Sequence, residues 1–134
     1  MRPKIIVSGM VKKDGKYLLI KRADKPYQGY WSDVGGKLEL EETPEQGIQR
    51  EFMEEMGVKV QIKRFLGYYN HVWKEEKTRH IVTLLFLCEP ENTDFKVDEK
   101  EVSEVGWFTI QQAEKLDLAF DVKKRLEDAE HEQV

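Results

Sequence analysis

Three glutamates, Glu51, Glu54 and Glu55, stand at positions i, i+3 and i+4. On a helix their carboxylates share one face and reach a common point. Three like charges held together repel one another. A divalent cation that prefers hard oxygen donors, Mg²⁺ above all, converts that repulsion into attraction. A solvated charged helix face has the same pattern, so the spacing alone leaves both readings open. The same stretch places Ile48, Phe52 and Met56 at i, i+4 and i+8, which gives the helix a core-facing stripe beside its acidic one.

The elements that must position these acids are marked in the sequence. Thr43 is an N-cap residue, Pro44 suits the first helical position, Gln46 can complete a capping box, and Gly57 suits the left-handed site past a helix end. A helix over Pro44 to Met56 follows. Upstream, the apolar runs Ile5 to Val11 and Tyr17 to Ile20 flank Asp14-Gly15 and predict a β-hairpin across Lys4 to Arg22. Residues 23 to 36 carry Pro26, Gly29, Gly35 and Gly36 and read as a loop, extended only at Trp31 to Val34. Downstream, Val58 to Val72 is rich in β-branched and aromatic residues, and Ile81 to Cys88 reads as a strand buried on both faces. The acidic stretch Glu89 to Glu104 predicts a solvated loop, Val105 to Phe108 a short strand, and Thr109 to about Glu130 one or two helices. Strands interleaved with helices imply a mixed α/β layer structure.

The segment from Gly36 to Val58 decides between the two readings of the glutamates. It matches G-x5-E-x7-R-E-U-x-E-E-x-G-U, with U a bulky apolar residue, through Gly36, Glu42, Arg50, Glu51, Phe52, Glu54, Glu55, Gly57 and Val58. That pattern is the Nudix box, and the chain resembles the Nudix hydrolase family. Phe52 is aromatic where the family usually has an aliphatic residue, a difference of packing. The resemblance implies an α/β Nudix fold, a three-layer α/β/α sandwich with a mixed β-sheet. It further implies Mg²⁺-dependent hydrolysis of a pyrophosphate bond in a nucleoside diphosphate derivative, with Mn²⁺ as a substitute metal. Its metal ligands fall on Glu51, Glu54, Glu55 and the backbone carbonyl of Gly35, while Glu42 and Arg50 pair to brace the loop.

Gly35-Gly36-Lys37 followed by Glu42 to Gln46 is most similar to the mutator-type nucleoside triphosphate pyrophosphohydrolases. That likeness implies Arg22 and Lys37 as phosphate contacts and Glu101, six residues ahead of Trp107, as a fourth carboxylate acting as metal ligand or general base. Asp98, Glu99 and Glu104 compete for the last assignment. The leading substrate is a nucleoside triphosphate split to monophosphate and pyrophosphate; ADP-ribose or a nucleotide sugar is the alternative, and a catalytically idle nucleotide-binding domain a second one. The base-reading asparagine of those relatives is missing from Leu118 to Val122, where Phe120 and Asp121 stand instead and read as core aromatic and surface acid. Tyr27, Tyr30, Trp31 and Trp73 offer rings for stacking on a base or for packing.

Composition limits what else the chain can be. With 134 residues, 40% hydrophobic and 36% charged, it reads as one domain over residues 1 to 134. A net charge of −4 opposes binding to duplex nucleic acid. No apolar run reaches the roughly 18 residues of a membrane span, which predicts a cytoplasmic protein with a small nucleotide as partner, no membrane, and a homodimer left open. Cys88 is the only cysteine and lies within an apolar run, as a core residue would. His71 and His80 have no second histidine at ligand spacing and are assigned no metal.

Overall fold

The computed structural model describes the backbone of residues 2–74 and 78–134 and the side chains of 2–72 and 79–134. The Trp73 ring, one of the aromatic candidates, lies outside the described residues. Asp14 and Gly15 have φ of 52° and 75° and turn β2 (Lys12–Lys13) into β3 (Lys16–Arg22). The hairpin they close holds only two residue pairs, far fewer than Lys4 to Arg22 predicts. The chain changes sheets at Val11 because β1 (Lys4–Met10) pairs on both its edges elsewhere: antiparallel with β5 (Val34–Lys37) and parallel with β7 (Thr78–Pro90). An apolar run such as Ile5 to Val11 suits that covered, partly parallel setting better than an open hairpin.

The first sheet runs β5-β1-β7-β6, with β6 (Val60–Lys74) antiparallel to β7, and is mixed. The second is antiparallel: β3 lies between β4 (Trp31–Ser32) and β8 (Val102–Phe108) and continues into β2. Gly35 and Gly36, expected in a loop, are strand residues here. β8 begins at Val102, ahead of the expected Val105, since Val102 is fully buried. The stretch before it is not a solvated loop throughout. Phe95 and Val97 pack on the core, and the N–H groups of Lys96 and Asp98 donate to the carbonyls of Met56 and Glu55.

Helix α1 (Pro44–Met56) has the predicted bounds, with both capping-box bonds present and Gly57 left-handed at φ 65°. Its Ile48, Phe52 and Met56 are fully buried with Val7, Val34 and Phe86 on one face of the first sheet. On the other side, α3 (Val122–His131) packs Val122, Leu126 and Ala129 against Leu85 and the second sheet's Tyr17, Leu19 and Trp31, behind the short α2 (Ile110–Ala113). Phe86 and Leu85 are neighbours that point to opposite faces, which is how one strand serves two cores. The result is an α/β sandwich with a mixed sheet. Among the described residues no helix is long and apolar enough to cross a membrane.

Candidate active site

The N-terminus of α1 is tied to β5 by one guanidinium. Arg50 Nε and Nη2 donate to both oxygens of Glu42 at 3.1 and 2.8 Å, and Nη2 also donates to the Lys37 carbonyl at 2.9 Å. A planar fork on a planar carboxylate is the geometry arginine favours. Nη1 faces the acidic stripe and donates to Glu51 Oε1 at 2.8 Å and Glu54 Oε2 at 3.3 Å. The hydrogen bonds and charges of Glu42 first, then Glu51, raise the Arg50 pKa, and Arg50 in turn holds Glu42 below the ordinary carboxylate range.

Glu51 is pressed against β5. A methyl group at Gly36 would sit 2.4 Å from Glu51 Oε1, and one at Gly35 would sit 2.2 Å from the Val7 carbonyl. The Gly35-Gly36 pair is therefore what lets the strand pass between β1 and the acidic helix. Glu54 is exposed, whereas Glu55 is buried, and Glu55 Oε2 has no hydrogen-bond partner among the described residues. Among the described residues no three His, Cys, Asp or Glu side chains close around a cation point, and Glu51 and Glu54 both accept from Arg50.

A buried carboxylate with one oxygen unpartnered resists ionisation. Desolvation first, then the hydrogen bond and charge of Glu51 and the charge of Glu101, push Glu55 far above its ordinary 4.5, with Arg22 pulling the other way. The folded protein thus keeps a proton on Glu55 that the unfolded chain releases above pH 4.5. Stability of the metal-free protein is expected to fall as pH rises through that window. Thermal melts in EDTA from ~pH 5 to ~pH 9 test this, with saturating Mg²⁺ expected to flatten the slope. A slope of the same size with Mg²⁺ present, or none in EDTA, would refute the assignment.

The acids open into a cleft of about 1020 Å³. Its wall includes Gly35, Lys37, Glu51, Glu54 and Glu55, and from other elements Arg22 and Glu101. Glu42 lies outside the lining, behind Arg50. Of Asp98, Glu99, Glu101 and Glu104, Glu101 alone lines the cleft; Glu104 pairs with Lys21 at 3.8 Å and Asp98 accepts from the Lys100 N–H at 3.0 Å. Arg22 follows a register shift in the β3–β8 pairing, and a bulge of this kind re-aims a side chain. Its Nε donates to the Pro26 carbonyl at 2.7 Å, and its guanidinium lies 5.2 Å from the Phe120 ring centroid.

Sequence reading missed the buried polar floor of this cleft. Arg125, 2% exposed, donates to Asp33 at 2.8 and 3.0 Å, to Asp121 at 2.7 Å and to Thr83 at 3.4 Å. Burial alone would lower its pKa, but the two aspartates hold it raised. Asp121 is thus the partner of a core arginine, where a solvated helix acid was expected. Its i, i+4 relation to Arg125 was the available signal; nothing local pointed to Asp33. Phe120, expected in the core, lines the cleft at φ 52°, with Tyr27 at 4.7 Å and His71 at 6.0 Å between ring centroids. Tyr30 joins Tyr27 at 5.3 Å, while Trp31 packs on Phe108 away from the cleft. His80 bonds Asn70.

A carboxylate-rich helix entered through a glycine strand, on a two-sheet sandwich, defines a class of protein. The NUDIX domain model matches residues 2–129, and the chain belongs to that family. It is a Nudix hydrolase, an enzyme acting on phosphoric anhydride bonds. It is 31% identical over 128 residues to an ADP-ribose pyrophosphatase of Methanocaldococcus jannaschii, covering 96% of this chain and 73% of that protein. It is 30% identical over 138 residues to the nucleoside triphosphatase NudI of Escherichia fergusonii, covering 94% and 96%. The crystal structure of a MutT Nudix hydrolase from Burkholderia pseudomallei superposes with a TM-score of 0.88 at 25% identity, over 96% and 98% of the two chains.

Proposed function

We propose that this protein hydrolyses the pyrophosphate linkage of a nucleoside diphosphate derivative with Mg²⁺ held by Glu51, Glu54, Glu55 and the Gly35 carbonyl. The observation that carries the reading is Glu55 Oε2, a buried oxygen without a partner beside Glu51. A cation gives that oxygen the opposite charge it lacks, and an all-oxygen donor set suits Mg²⁺ or Mn²⁺. When bound, the metal supplies charge for the developing phosphate oxygens and lowers the pKa of the attacking water.

The chain's own residues do the rest. Arg22 and Lys37 bind phosphate oxygens, and Pro26 and Phe120 fix the plane of the Arg22 guanidinium. Arg50 keeps its fork on Glu42, which holds α1 against β5 and so sets where the glutamates point. Glu101, or Glu54 on the exposed edge of the stripe, takes the proton of the water, worth ~10²–10⁴-fold.

The leading substrate is a nucleoside triphosphate split to monophosphate and pyrophosphate, as supported by the mutator-type pattern from Gly35 to Gln46 and by the similarity to a nucleoside triphosphatase. ADP-ribose or a nucleotide sugar is the second reading, favoured by a cleft with room beyond one nucleotide and by the similarity to an ADP-ribose pyrophosphatase. The test is release of phosphate and pyrophosphate from nucleoside triphosphates, ADP-ribose and dinucleoside polyphosphates, with Mg²⁺ or EDTA, for wild type and Glu54→Gln. Turnover that needs Mg²⁺ and drops in the variant supports the site and identifies the substrate; turnover of none of them, or turnover indifferent to both changes, overturns it.

A further inference from the structure

The cleft has a second charged end. Arg2 and Arg79 line it together with Lys4, the first residue of β1. The parallel register opens with Lys4 beside Ile81, and Arg2 and Arg79 each stand two residues before that pair. Among the described residues neither arginine makes an ion pair. Gly36, which backs onto Glu51, is paired with Val7, five residues from Arg2. At ~3.3 Å per residue those five residues, three of the steps within β1, span up to about 16 Å when extended, which sets Arg2 apart from phosphates held at the glutamates.

The aromatic wall lies between the two ends. His71 pairs with Ile81 across the ladder and its ring is 6.0 Å from that of Phe120. Arg79 is two residues further along β7, about 7 Å away. A nucleoside stacked on Phe120 therefore presents its outer edge to Arg79 and Arg2. Two guanidinium groups on one wall of a cleft, with no ion pair among the described residues, repel each other, and an anion between them removes that cost and accepts their forked donors.

We infer that Arg2 and Arg79 form a subsite for a phosphate monoester remote from the scissile pyrophosphate, so that the enzyme favours substrates whose nucleoside carries a further phosphate on its ribose. The inference rests on the proposed pyrophosphatase site for its orientation but is tested without catalysis. Isothermal titration of the wild-type protein with AMP, adenosine 2′,5′-bisphosphate and adenosine 3′,5′-bisphosphate is expected to show at least one bisphosphate binding about tenfold more tightly than AMP, the scale of one charge-assisted hydrogen bond. The preference should vanish in Arg2→Ala/Arg79→Ala, reverse in the charge-reversal variant Arg79→Glu, and shrink with added salt.

Equal affinity for all three ligands, no detectable binding of the bisphosphates, or a preference that survives both variants would overturn it. A bisphosphate preference in a protein that turns over no pyrophosphate would uphold the subsite and overturn the proposed reaction. Turnover without a preference would do the reverse.

Discussion

Glu55→Gln is expected to lower Mg²⁺-dependent turnover by about 10³-fold while leaving the metal-free protein at least as stable as wild type. The two halves of this expectation have one cause. Glu55 is 6% exposed and one of its oxygens has no partner, so without a cation the folded protein holds it as the neutral acid. Glutamine has the same size and the same lack of charge, and the core does not register the change. The active site does, because an amide is a far weaker ligand for a hard cation than a carboxylate. Initial rates at saturating Mg²⁺, read beside melting temperatures in EDTA, separate loss of chemistry from loss of fold. A rate within about tenfold of wild type would remove Glu55 from the metal site, and a large drop in melting temperature would mean that its charge is used structurally.

Arg125→Ala should produce the largest loss of stability, about 3–5 kcal/mol, since removing one member of a buried ion network strands the others. Asp33, 4% exposed, would lose both of its short contacts to the guanidinium, and Asp121 and Thr83 would lose theirs. The midpoint of urea unfolding measures the loss. Adding Asp33→Asn to the alanine variant should recover part of it, because a neutral amide is less costly to leave buried, and a double-mutant cycle gives the coupling. A loss under about 1 kcal/mol would mean that water replaces the guanidinium and the floor of the cleft is wetter than its burial indicates. Turnover should fall as well. Asp121 adjoins Phe120 and Asp33 is two residues from Gly35, so one guanidinium holds the aromatic wall and the glycine strand in relation to each other.

Helix α1 was legible because everything that specifies it is local. Its cap at Thr43, its proline, its apolar stripe and its terminal glycine act within one or two turns of themselves, so Pro44 and Met56 are its ends in sequence and structure alike. The Asp14-Gly15 turn was legible for the same reason, but the hairpin around it was not. Whether Ile5 to Val11 pairs with Tyr17 to Ile20 or with Ile81 to Leu87 is a competition between distant strands, and an apolar run signals burial on both faces without naming its partner. The acidic stretch before β8 misled for a related reason: Phe95 and Val97 dock on the end of α1, which only the folded chain brings near.

The site divides along the same line. Sequence by itself determined the family, the acidic stripe and its glycine neighbours, because an acidic face on one helix is written in that helix's spacing. Tertiary structure decided which cations and which rings join it. It brought Arg22 and Glu101 into the cleft and left Glu104 on Lys21, put Phe120 at the wall in place of the core, and buried Arg125 between Asp33 and Asp121. Charges from separate strands and helices meet only when two sheets and two helices have closed over them, and desolvation, which raises the Glu55 pKa and makes Arg125 a costly loss, exists only in the folded state.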